Sequence, residues 1–156
     1  MVLRLAKDAD PNRRSSKLCR TGSQPFNDPN ARLGKRAKRL VLAAEQMGWL
    51  HSYAEGQEKS WGERIADNGN PLPIVSVEAG QYLLRHMIEM QPVTNNGFGM
   101  RARADGEITD YFVGVGIPLE NWEFVLMRKM CHGYLQGVRT GNDRFGIMPM
   151  KRDEGV

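Results

Sequence analysis

Cysteine and histidine are scarce in this chain of 156 residues, with two of the first and three of the second. Cys19 and Cys131 with so few histidines do not supply the closely spaced Cys/His pairs that tetrahedral zinc requires, and two cysteines in a reducing compartment stay as thiols rather than pair. Long hydrophobic runs are also missing. Leu40–Ala44 and Tyr111–Val113, the latter followed by a Gly-interrupted stretch to Leu119, fall far short of the ~20 residues needed to cross a bilayer. No transmembrane helix and no membrane partner are expected. The opening residues Met1–Asp8 meet Arg4, Lys7 and Asp8 before an apolar h-region of ~7–15 residues can form, so no secretory signal is expected and a cytoplasmic location is the default. No G-x-G-x-x-G or G-x-x-x-x-G-K-[ST] series occurs, and there is no internal repeat. No cofactor is implied.

What is present is ordinary globular material: 40% hydrophobic and 26% charged residues, enough apolar content to fold and too little chain for two well-supported cores. The formal net charge of +4 is unevenly placed. Residues 1–41 carry eleven Lys/Arg against three acids, a net +8, whereas the remaining 115 residues carry eleven against fifteen, a net −4. A basic front on a mildly acidic body implies a polyanionic partner for the front.

Residues 7–27 are rich in Asp, Asn, Arg, Ser, Gly and Pro and lack periodic apolar positions, so residues 1–27 read as a flexible basic arm. Asp28 is a plausible N-cap and Pro29 a first helical residue. The helix this starts is expected to reach Met47 and stop at Gly48, with Leu33, Ala37, Leu40, Val41, Ala44 and Met47 on one side and Arg32, Lys35, Arg36 and Arg39 on the other. A shorter helical piece around Trp49, Tyr53, Trp61 and Ile65 follows. The connector 68–73 leads to a third helix over about 76–91. Asp105-Gly106 is a type I′ turn dipeptide and predicts a β-hairpin in which Met100 faces Tyr111, Phe98 faces Val113 and Arg101 faces Asp110. Phe98, Met100, Tyr111, Val113, Val115 and Ile117 would then share its apolar face. A long helix from Pro118 to about Gln136, stopped by Gly137, should form the core, and Phe145, Ile147 and Met148 should tuck back onto the body. The expected fold is α+β, about four helices with one β-hairpin packed on the long C-terminal helix: a single domain over 28–150 and a polar tail over 151–156.

The cationic residues carry the functional reading. Lys and Arg that neutralise phosphates release condensed counterions, a driving force that needs no special geometry. Lys35, Arg36, Lys38 and Arg39, with Arg32, would contact phosphates from a fixed helix. Arg13, Arg14, Lys17 and Arg20 would add a mobile anchor, and Arg101 and Arg103 would supply any base specificity, since Arg pairs with guanine edges. Cross-strand pairing of Arg101 with Asp110 is the plainer use of that arginine. His86 and Glu89 stand at i, i+3 and read as a surface pair; Cys131 reads as a buried small hydrophobe and His132 as a helix C-terminal cation. Glu120, Glu123, Asp110, His86 and His132 are the only groups whose convergence would suggest an enzyme. The expectation is therefore a non-enzymatic, regulatory or accessory nucleic-acid-binding protein, with DNA favoured over RNA. The alternative is a protein–protein adaptor whose basic front docks on an acidic partner, for which exposed Trp49, Tyr53 or Trp61 would speak.

Overall fold

In a computed structural model, residues 29–150 are described, with side chains from Gly34 onward. The arm 1–27, the expected Asp28 cap and the tail 151–156 lie outside the described residues. The elements are α1 (Pro29–His51), α2 (Trp61–Asp67), α3 (Gln81–Met90), β1 (Val93–Asn95), β2 (Met100–Ala102), α4 (Asp105–Val115) and α5 (Asn121–Asn142). Among the described residues, five helices and a two-stranded antiparallel hairpin, the hairpin packed on the long C-terminal helix, make a mixed helix–strand fold. No helix among the described residues is long and apolar enough to cross a membrane.

The two long helices form the centre, and both run past the glycines at which the sequence suggests they stop. Gly48 lies inside α1 and Gly137 inside α5, because each glycine is a contact point rather than a terminator. A Cβ on Gly133 would meet the Val41 carbonyl at 3.1 Å, one on Gly137 would crowd Glu45 and Trp49, and one on Gly141 would meet the Trp49 carbonyl at 3.0 Å. The contact partners advance together along both helices, so α1 and α5 run parallel, with backbones as close as side chains of zero size permit. This is the largest interface between elements. Around it one cluster gathers Leu40, Ala43 and Ala44 of α1, Leu83 and Met87 of α3, Ile108 and Phe112 of α4, and Met127, Met130 and Cys131 of α5.

The third helix begins at Gln81, later than expected. Gly80 sits at φ +86°, outside helical space, and a Cβ there would lie 2.7 Å from Leu40 Cδ1. The short helix α2 is opened by a full capping box: Ser60 Oγ accepts from the Glu63 N–H at 3.3 Å, and Glu63 Oε2 accepts from the Ser60 N–H at 2.7 Å. That S-x-x-E spacing is plain in the sequence.

The hairpin is displaced from its expected place. Its pairs are Val93 with Ala102, Thr94 with Arg101 and Asn95 with Met100, so the turn is Asn96-Gly97-Phe98-Gly99 and the expected partners of Met100, Phe98 and Arg101 are wrong. Asp105-Gly106 instead opens α4, a helix where a strand was expected. The Ala104 N–H donates to Glu107 Oε2 at 2.7 Å, half of a capping box, and Asp105 and Glu107 place negative charge in the first turn, where the helix dipole favours it. With helical periodicity, Ile108 and Phe112 turn inward at i, i+4 while Val113 stays 75% exposed. The proposed common apolar face of Phe98 and Val113 does not exist. Gly116 caps α4 in left-handed backbone.

The segment after α5 returns to the body by its backbone. Trp49 Nε1 donates to the Gly146 carbonyl at 3.3 Å, and Gln46 Nε2 to the Pro149 carbonyl at 2.9 Å. Phe145 and Ile147 point into solvent, 85% and 82% exposed, contrary to the expected tuck, while Met148 is half-buried.

Candidate nucleic-acid interface

α1 changes character at Leu40. From Leu40 onward it has no exposed residue until His51, whereas Gly34, Lys35, Arg36, Lys38 and Arg39 are all exposed and Ala37 alone is half-buried. At ~100° per residue, Lys38, Lys35, Arg39 and Arg36 fan over an arc of roughly 160°, with Ala37 on the opposite side. Ala37, Leu40 and Val41 are the residues of this stretch that pack on the core. The helix therefore presents four cations outward from one turn and a half, on backbone already fixed by its continuation into the core. The Arg32 side chain lies outside the described residues, as do Arg13, Arg14, Lys17 and Arg20.

The C-terminal helix carries a further exposed cation at the level of this segment. Lys129 is exposed on α5, four residues before Gly133, and Gly133 abuts Val41, itself four residues after Ala37. Lys129 is thus level with Ala37 across the helix pair. His132 and Arg139 continue the exposed stripe of α5 at i+3 and i+10. The signal was available: only the parallel pairing with α1 was missing.

Arg101 and Arg103 are placed differently. Arg101 makes a two-pronged contact with Glu107, at 2.8 and 3.0 Å. Arg103 reaches the same carboxylate at 3.3 Å and donates to the Gln91 and Met90 carbonyls at 2.9 and 3.2 Å, closing the C-terminal end of α3. Glu107, not Asp110, is the partner of Arg101, because α4 turns residue 107 back toward the hairpin where a strand would have carried it away. The Arg101 hydrogen bonds, with help from the Ala104 N–H, hold the Glu107 carboxyl down at about 2. These two arginines tie hairpin, α3 and α4 together, and reading a base edge would require them to leave Glu107.

The acid–base candidates do not assemble. His86, more enclosed than a surface pair, has Nδ1 3.1 Å from the Tyr111 hydroxyl and 3.4 Å from Glu89, and Tyr111 donates to Glu89 at 3.0 Å. Glu123 instead accepts from the Tyr82 hydroxyl, whose pKa burial raises to about 12 with the help of that carboxylate. Glu120 Oε2 accepts from Trp122 Nε1, and His132 is exposed. Cys131 is wholly buried and its thiol pushed up to about 12 by desolvation, an inert environment for a nucleophile. Among the described residues no three His, Cys, Asp or Glu side chains cluster as a metal site would need. A groove of about 560 Å³ lies between residues 74–77 and α3 over Met47, Leu84 and Ile88, with Arg85 and Glu89 at its rim.

Of the aromatic residues relevant to protein docking, Trp49 is buried and stacks on Trp61 at 4.7 Å between ring centres. Trp61 donates its N–H to the Gly141 carbonyl at 2.7 Å. Tyr53 is exposed.

Compared with protein-family models, with curated proteins and with solved structures, the chain matches none.

Proposed function

We propose that this protein binds nucleic acid without catalysing a reaction on it, acting in the cytoplasm as a regulatory or accessory factor, with DNA preferred over RNA. The observation that carries this reading is the fan of Lys35, Arg36, Lys38 and Arg39 on the part of α1 that precedes the core. Such a rigid cationic rod gains counterion-release free energy without the entropy cost of ordering a loop. Arg13, Arg14, Lys17 and Arg20 add further positive charge ahead of α1 in the chain, and exposed Lys129 of α5 is level with its cationic segment.

Fluorescence anisotropy with labelled duplex DNA, single-stranded DNA and RNA at low salt tests the proposal. Full-length protein binds, and K35E/R36E/R39E loses at least tenfold in affinity while keeping its thermal unfolding profile. Unchanged affinity in that variant rejects the reading and turns attention to an acidic protein surface, for which exposed Tyr53 is the supporting feature.

A further inference from the structure

Phe98 is fully exposed, the only large hydrophobic side chain at 100% among the described residues. Its position is nonetheless fixed. The ladder continues past Asn95–Met100 as a bond from the Asn96 N–H to the Gly99 carbonyl at 3.3 Å, leaving Gly97 and Phe98 as the two-residue apex. Asn95 Oδ1 accepts from the Gly97 N–H at 3.0 Å and Asn96 Oδ1 from the Phe98 N–H at 3.1 Å. Both asparagine side chains are thus used to shape the turn, in the manner of Asx turns.

The apex stands clear of the body, since a Cβ at Gly97 or at Gly99 would find nothing within 4 Å. Both faces of the Phe98 ring are open to a planar partner. The stretch from Gln91 to Ala104 contains no carboxylate, and at its base Arg101 and Arg103 share the single carboxylate of Glu107, leaving one positive charge in excess. An aromatic ring on a hydrogen-bonded tip, with one positive charge in excess at the base of the hairpin, suits a flat partner that carries negative charge alongside it.

Building on the nucleic-acid reading above, we propose that Phe98 is a base-stacking contact that takes an unpaired base of single-stranded nucleic acid, while α1 holds the neighbouring phosphates. Stacking is indifferent to base identity, because every base has a π-face, and it is denied to a duplex whose bases are already stacked on one another.

The test uses the full chain, F98A and F98W with a labelled thymidine 20-mer and a duplex of equal length, over a salt series. F98A weakens single-strand binding roughly tenfold, F98W restores it, the duplex is affected several-fold less, and the salt slope stays as in the parent because no phosphate contact is lost. Since Phe98 packs on nothing, all three proteins melt alike. Equal single-strand affinity in F98A and parent, with K35E/R36E/R39E still defective, overturns the stacking role and leaves the cationic helix intact as a binder. No binding by the parent overturns both. Loss of binding in F98A to anionic phosphatidylserine vesicles but not to the oligonucleotide also overturns it, in favour of a lipid surface.

Discussion

Gly137 of α5 lies against the backbone of α1 so closely that a Cβ there would overlap the Glu45 carbonyl oxygen and sit 2.8 Å from the Trp49 nitrogen. Neither atom can move without unwinding α1. Gly137→Ala should therefore destabilise by roughly 3 kcal/mol, at the upper end for overpacking, although alanine is the better helix former. Gly114→Ala, in α4 with nothing within 4 Å of its Cβ position, should stabilise by about 0.5–1 kcal/mol for the same propensity reason. Urea unfolding of the two variants should move in opposite directions.

Gln46, a buried side chain, ties two segments to α1: its Oε1 accepts from the Val75 N–H at 2.7 Å and its Nε2 donates to the Pro149 carbonyl. Gln46→Leu keeps the bulk and strands both backbone groups, so a loss of roughly 2 kcal/mol or more is expected. Hydrogen exchange at Val75 should accelerate in this variant.

Glu107 carries the clearest pH dependence. In the unfolded chain it titrates near 4.5, whereas the folded protein holds it at about 2. Between those values the unfolded state binds more protons, so the contribution of Glu107 is present above about 4.5 and is lost as pH falls toward 2. Glu107→Gln also gives up the charged cap on Ala104, and at pH 7 should lower Tm by about 2–4 °C, the equivalent of about 1 kcal/mol in a chain of this size. The gap in Tm between parent and variant should narrow as pH is lowered from 6 to 3.

How far the fold was legible follows from which interactions are local. Helix periodicity placed α1 and α5, because an apolar stripe at i, i+3, i+4 is written in the residues themselves. Their ends were misread at Gly48 and Gly137, since a glycine that admits a neighbouring backbone and one that ends a helix look identical until the partner helix is known. The hairpin turned on a choice between two turn dipeptides, the Gly-X pair Gly97-Phe98 and Asp105-Gly106. Both satisfy the turn rule, but Asp105 is followed by Glu107, which caps Ala104 and makes a helix start the better local solution. The cationic face of α1 was visible as a charge stripe. The level placement of Lys129 and the bare Phe98 apex depended on tertiary pairing that no local pattern encodes.

The salt dependence of DNA binding reaches the central claim most directly. With Lys35→Gln, Arg36→Gln and Arg39→Gln made singly and together, the slope of log K against log salt on duplex DNA should fall by about 0.9 for each phosphate contact removed, and so by about 2.7 in the triple variant. A triple variant whose slope equals that of the parent would contradict the assignment of the α1 cations to phosphate.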